Sequence, residues 1–208
     1  KSELMERQKK LRAEDVFGGF SAIGWGERKG AVRVFCSPGP IYEPEGEAAD
    51  YWRMARAIFA AGFRAGDLVH NSFSYHFTPA GLMMDTGARA IGCAVFAAGV
   101  GQTEMQVQAI AELKPAGYVG TPSFLKIILE KALELGVGVN SLKKALVGGE
   151  AFPPSLRDWL GERGIAAYQS YATADLGLVA YETTSREGLV LDEAVIVEIV
   201  RPGTGDPL

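Results

Sequence analysis

Six short segments of this sequence carry residue types that hold small molecules: SPGPIYEPEG (37–46), SFSYHFTPAG (72–81), GVGQTE (99–104), GTPS (120–123), GGEAFPP (148–154) and YATAD (171–175). A glycine-bearing segment that follows a strand can cradle a phosphate, because bare backbone N–H groups point at it. Ser37 and Gly39 in the first segment suit that use. Against it, the segment has neither lysine nor threonine, and it holds Glu43 and Glu45. Pro38 and Pro40 have no N–H to give, and a carboxylate facing a polyphosphate repels it. The segment reads as a phosphate cradle, an altered one, or a plain turn. The other candidates also have ordinary readings. Gly148 and Gly149 close a strand or let a ligand approach the backbone. Asp175 is a hard oxygen ligand or a turn and helix-capping residue. Tyr75 and Phe77 are core or rim aromatics, or a ligand platform. His76 sits in a loop between aromatics, whereas His70 lies inside a strand pattern and reads as structural.

The elements that must position these segments alternate along the chain. AVRVFC, DLVHNSFS, CAVFAAG, AGYVG, KKALVGG and IAAYQSY read as strands. Between them AADYWRMARAIFAAG reads as a helix with Trp52, Ala55, Ile58 and Phe59 on one face, and PAGLMMDTGARAIG as a helix or helical turn. TEMQVQAIAELK follows, with Thr103 and Gln106 as a capping box and Met105, Ile110 and Leu113 on its apolar face. PSFLKIILEKALELG starts at Pro122, ends at Gly136, and carries Lys126, Glu130, Lys131 and Glu134 as a solvated stripe. Strands alternating with helices specify an α/β fold, a mostly parallel sheet covered by helices on both faces. Ligands in such folds sit at the carboxyl ends of strands, and all six segments are strand exits. Residues 1–30 form a helical or irregular segment, 31–180 the α/β core, and 181–208 a β-rich end in which GLVLDE and AVIVEIV read as strands.

Bulk composition excludes several classes. The 208 residues are 48% hydrophobic, with 21 basic and 25 acidic side chains and a net charge of −4. That balance leaves no electrostatic footprint for nucleic acid, and the apolar runs are shorter than the ~20 residues of a membrane span. The charged N-terminus shows no signal peptide. Cys36 and Cys93 sit in apolar runs without ligand spacing, so buried free thiols in a reducing cytoplasm are expected.

Taken together and in order, GD.VH, the aromatic loop, GQTE.QV, TPS, LVGGEAFPP and YATADLG resemble the phenylacetate–CoA ligase family of adenylate-forming acyl-CoA synthetases, from about residue 32 to 207. The resemblance implies the large-domain core of that fold. It implies ATP-dependent ligation of an arylacetate-type carboxylate to coenzyme A through an acyl-adenylate, in a cytoplasmic homodimer. By position, Ser37, Gly39, Gly148, Gly149, Glu150, Tyr171, Ala172 and Thr173 would surround ATP or AMP. Asp175 would act in catalysis by holding Mg²⁺. Phe73, Tyr75, His76, Phe77, Thr121 and Pro122 would form the acyl pocket.

The sequence departs from the family at its phosphate contacts. The family's loop reads roughly SSGTTGKPT, and here prolines stand at 38 and 40 with no lysine through Gly46. Ala174 replaces a Ser or Thr, and Asp175 a Glu. Three readings follow, in order: a ligase with an altered loop, an ATP-independent acyl or acyl-CoA binder, and an acyl transferase using a preformed adenylate or thioester. The chain also lacks the family's ribose-binding acid and small C-terminal domain, and reads as an incomplete core. Incubated with phenylacetate, ATP and CoA, it is expected to form no measurable CoA ester, and robust turnover would contradict that reading.

Overall fold

Strands of four or so apolar residues must bury both faces, and the amphipathic segments between them supply the cover. The computed structural model describes residues 2–208. In chain order it contains α1 (Ser2–Leu11), β1 (Ala31–Ser37), β2 (Ile41–Gly46), α2 (Met54–Ala60), β3 (Leu68–Asn71), α3 (Ala80–Ala90), β4 (Ala94–Ala97) and α4 (Thr103–Leu113). There follow β5 (Gly117–Gly120), α5 (Pro122–Glu134), β6 (Lys144–Val147), α6 (Pro154–Gly161), β7 (Ala166–Thr173), β8 (Gly177–Glu182) and β9 (Leu189–Leu191). The main sheet runs β4-β3-β5-β6-β7-β8-β9. Strands β3 to β7 pair in parallel, and β8 and β9 add antiparallel.

The period-2 alternation of the central strands divides the core in two. Val119 of β5 and Leu146 of β6 pack with Met54, Ile58, Met83 and Met84 beneath α2 and α3. Their neighbours Tyr118, Ala145 and Val147 face the other way, onto Ile110, Leu125, Ile128 and Leu160 of α4, α5 and α6. Both glycines of β5 are forced by closeness. A Cβ on Gly117 would lie 2.6 Å from the Lys144 carbonyl oxygen, and one on Gly120 would lie 2.1 Å from both Ser72 Oγ and Tyr118 Oη.

Several local expectations change. SPGPIYEPEG is a β-hairpin, not an open loop: β2 folds back antiparallel on β1, pairing Ser37 with Ile41 and Phe35 with Glu43 in a separate two-stranded sheet. Helix α2 starts only at Met54, because Arg53 takes a left-handed φ of 61° that no helix can run through. Trp52 is buried outside it, and Phe59 is exposed beneath the Arg64 guanidinium, 3.7 Å from its ring. There is no capping box at α4. Gln102 is left-handed at φ 49°, without a side-chain cap. Met105 and Leu113 are exposed, and only Ile110 of the expected trio is buried. The stripe on α5 does form ion pairs, Lys126 with Glu130 and Lys131 with Glu134. At the C-terminal end β9 forms, but AVIVEIV does not become a strand. Its residues find one bridge, Val200 to Pro207, and Ile196 is 93% exposed, because β-propensity without a partner strand or a covered face fixes nothing. Both cysteines are free. No helix among the described residues is long and apolar enough to cross a membrane.

The crowding at Gly120 yields a direct test. Gly120→Ala must displace the buried Ser72 and Tyr118 hydroxyls, costing about 1–3 kcal/mol of overpacking. A urea midpoint equal to wild type would contradict this packing.

Candidate functional site

The hairpin, the β6 exit and the end of β7 converge on one cavity of about 400 Å³. Ser37, Phe73, Gly148, Gly149, Ala172 and Thr173 line it, completed by Thr78, Pro79, Ala80, Met83, Met84, Ser170 and Ala174. The glycine pair brings bare backbone to its wall. Gly148 N–H donates to Gly120 O at 3.2 Å, and a Cβ there would stand 2.9 Å from Ser170 O. Gly149 turns at φ 79°, where its Cβ position is 3.6 Å from the Phe73 ring and 3.8 Å from Thr121 Cγ2.

The remaining expected residues divide. Thr121, Pro122 and Glu150 build the start of α5 and do not line the cavity. Thr121 Oγ1 accepts from Phe124 N at 3.4 Å, Pro122 occupies the first turn, and Glu150 Oε1 accepts from Ser123 N at 2.7 Å. A carboxylate at a helix N-terminus satisfies an otherwise unpaired donor and complements the helix dipole. Tyr75 is half-buried, its hydroxyl accepting from Asn71 Nδ2 at 2.8 Å, and burial pushes its pKa up. His76 and Phe77 are exposed, Phe77 at a φ of 60°. They lie outside the cavity, whose wall is made by Thr78, Pro79 and Ala80 one turn later. Phe77 contributes its carbonyl, which accepts from Cys36 N at 2.8 Å and ties the hairpin to this loop. Tyr171 belongs to β7, pairs with Ala180, and is exposed rather than lining the cavity.

The hairpin acids turn inward instead of facing out from a loop. Glu45 is buried against Arg33 at 2.7 Å, and buried Glu43 accepts from Ser37 Oγ at 2.7 Å. The turn between the strands, holding Pro38, Gly39 and Pro40, contributes no residue to the cavity wall; Ser37 does.

Asp175 lines a second cavity of about 430 Å³ together with Glu43, Tyr42, Tyr51, Gln8 and Phe20. Ala174 borders both cavities. Asp175 does not cap the turn: Thr173 Oγ1 accepts from Leu176 N at 3.0 Å and performs that job. The exposed Asp175 carboxylate has no hydrogen bond or ion pair among the described residues. No group of three His, Cys, Asp or Glu side chains suited to a metal occurs among the described residues. Asp175 is a single hard oxygen, which suits a magnesium ion held mainly by phosphate oxygens and water.

Comparison with known proteins bears on the family and the fold. The chain is 31% identical over 212 residues to a phenylacetate–CoA ligase of Aromatoleum evansii, across 95% of the chain and 47% of the relative. It is 33% identical to the ligase of the same name from Pseudomonas putida, across 74% of the chain and 37% of the relative. The chain belongs to the phenylacetate–CoA ligase family. It spans less than half the length of these relatives. Among solved structures, an open conformation of 2-hydroxyisobutyryl-CoA ligase in complex with 2-HIB-AMP and CoA matches with a TM-score of 0.80 at 25% identity, over 92% of this chain and 43% of that one. A long-chain-fatty-acid-CoA ligase from Archaeoglobus fulgidus matches with a TM-score of 0.62 at 14% identity, over 83% of this chain and 38% of that one, a likeness of fold alone. No protein-family model matches the chain.

Family likeness gives the frame, but the loops are held by residues to which the sequence reading gives other roles. Trp52 Nε1 donates to Ala174 O at 3.1 Å, fixing the turn shared by both cavities. Gln106 is buried, and its amide NH₂ donates to Gly99 O at 2.8 Å and Gly101 O at 2.7 Å. Its oxygen is therefore left for His70 Nε2 at 2.7 Å, so Nε2 carries the proton. Burial lowers the His70 pKa, partly opposed by this bond. The unfolded chain takes up a proton below about pH 6.5 and the folded one resists it, so stability is lost as pH falls through that value. Relative to His70→Asn, wild type should lose up to about 1.4 kcal/mol per pH unit between pH 6.5 and 5.5. Parallel urea midpoints for the two proteins would remove His70 from this account.

Proposed function

We propose that this chain forms the nucleotide- and acyl-binding core of an AMP-forming acid–thiol ligase, taking an arylacetate-type carboxylate, ATP and coenzyme A. The observation that carries the reading is the convergence of Ser37, the Gly148–Gly149 pair and the end of β7 on one cavity with an apolar wall. In the reaction, a carboxylate oxygen attacks the α-phosphorus of ATP and pyrophosphate leaves. The CoA thiolate then attacks the acyl carbonyl and AMP leaves.

Gly148 and Gly149 would lie against the flat purine, since no Cβ intervenes. Phe73, Met83 and Met84 would pack the acyl group, and ring and thioether surfaces favour an aromatic one. Asp175 would supply an oxygen to a magnesium ion, whose charge offsets that gathering at the α-phosphate. Residues 31–180 are the working unit in this reading, flanked by 1–30 and 181–208, and a cytoplasmic homodimer completes it by family likeness.

A second reading has its own support. The Ser37 hydroxyl is committed to Glu43, and the turn beside it carries two prolines and no lysine. These favour a site that keeps adenylate or acyl-CoA but not the β- and γ-phosphates. Calorimetric titration of Mg·ATP, and separately AMP, into the full chain and an Asp175→Ala variant separates the two. Saturable ATP binding that the variant loses is the expected result. AMP binding without ATP binding selects the second reading, and binding of neither overturns the nucleotide site.

A further inference from the structure

Helix α1 packs across the outer edge of the hairpin. Gln8 is 2% exposed, the one fully buried side chain of a helix whose apolar residues Leu4, Met5 and Leu11 are half-buried. Its Nε2 donates to Tyr42 O at 2.9 Å, and its Oε1 accepts from Tyr42 N at 2.8 Å. Only one amide orientation satisfies both contacts, so the side chain completes the β2 edge as a neighbouring strand would. The surroundings hold it there. Gly18 sits at φ 64° with its Cβ position 3.0 Å from Gln8 Cα, so the following loop presses on α1 at that residue. Met5 Sδ reaches to 3.2 Å from the Cβ position of Gly39, and the Arg12 guanidinium lies 5.4 Å over the Tyr42 ring.

The hairpin so gripped carries Ser37 into the first cavity and Glu43 into the second, and Gln8 itself lines the second. The hairpin forms its own two-stranded sheet, and an isolated hairpin is marginally stable in water. On the core side Cys36 N–H donates to Phe77 O at 2.8 Å and the Phe35 ring packs edge-on against Trp52, while α1 covers the outer edge of β2. We infer that Gln8 is a positioning residue for the nucleotide site, acting through the hairpin by fixing Tyr42 and hence the Ser37–Glu43 pair against the cavities. The inference rests on the nucleotide-binding reading above.

The test is Gln8→Leu, which keeps the bulk and removes both bonds, alongside Gln8→Glu, which keeps an acceptor for Tyr42 N–H. Hydrogen exchange is followed by residue, and AMP and Mg·ATP affinity by calorimetry, on the full chain. In Gln8→Leu, exchange at residues 38–44 should accelerate while β3, β5 and β6 stay protected. Affinity should fall about tenfold, as the fraction of docked hairpin falls. Gln8→Glu should lie between the two. Unchanged hairpin exchange, or a loosened hairpin with wild-type affinity, overturns the inference alone. A wild-type chain that binds neither nucleotide overturns the site reading, and this inference with it.

Discussion

The geometry of both cavities depends on the clamp that Trp52 and Arg53 place on the β7–β8 turn. Trp52 donates from its indole to Ala174 O and accepts Leu178 N–H on its own carbonyl at 2.9 Å. The approach is so close that a Cβ on Gly177 would stand 2.6 Å from Trp52 O. Arg53 bends left-handed directly afterwards, sending its guanidinium to Leu178 O at 3.1 Å and to the fully buried Asp192 carboxylate at 2.9 Å. Without Arg53 the buried Asp192 carboxylate would keep only the longer pairing to Arg56 at 3.9 Å, and a buried charge so weakly paired is costly. The clamp therefore joins the start of α2 to the far edge of the sheet. Ala174, the wall common to both cavities, hangs from it.

Facing that wall, the hairpin is closed on itself. A phosphate loop keeps its donors free and accepts the cost of polar groups waiting for a ligand. Here the same segment satisfies itself: Ser37 binds Glu43, Glu45 binds Arg33, and the proline turn offers few donors. Internal closure stabilises the empty hairpin, and any phosphate that used the Ser37 hydroxyl would have to displace a carboxylate bonded to it at 2.7 Å. A charge-assisted bond of that kind is among the stronger ones. A hydroxyl already bonded to Glu43, beside a proline turn without lysine, sets this segment apart from a loop of the SSGTTGKPT type.

Much of the frame was legible in the sequence because it follows from periodicity. Strands buried on both faces read as short apolar runs, and the glycine pair at 148–149 lies at a strand exit as expected. What stayed hidden depends on contacts between distant residues. Nothing local distinguishes Arg53, Phe77 or Gln102 as left-handed, so α2 is read with the wrong start and α4 with a capping box it does not have. Gln106 at capping-box spacing found a better use, since His70 and two loop carbonyls offered a buried amide three partners at once. SPGPIYEPEG reads as a loop because Pro38, Gly39, Pro40, Pro44 and Gly46 interrupt the β-type run. An edge strand tolerates proline, and the acids found partners within the hairpin and across from Arg33. The aromatics of the 72–81 segment misled in the opposite sense. Phe73 reaches the cavity, but His76 and Phe77, at a left-handed turn, are exposed outside it.

The position of Asp175 then acquires a geometric meaning. It is on the far side of Ala174 from the glycine pair, so a ligand touching both must pass that residue. Ala174 has its carbonyl engaged by Trp52, leaving only a methyl group as side chain. A hydroxyl there would donate to whatever crosses, whereas a methyl merely leaves room. Ala174 in place of a hydroxyl residue and the closure of Ser37 onto Glu43 each leave one donor fewer between the glycine pair and Asp175. On the reading proposed above, a ligand that spans the two cavities would be held mainly at its ends, by the glycine backbone and apolar wall at one and by a metal on Asp175 at the other.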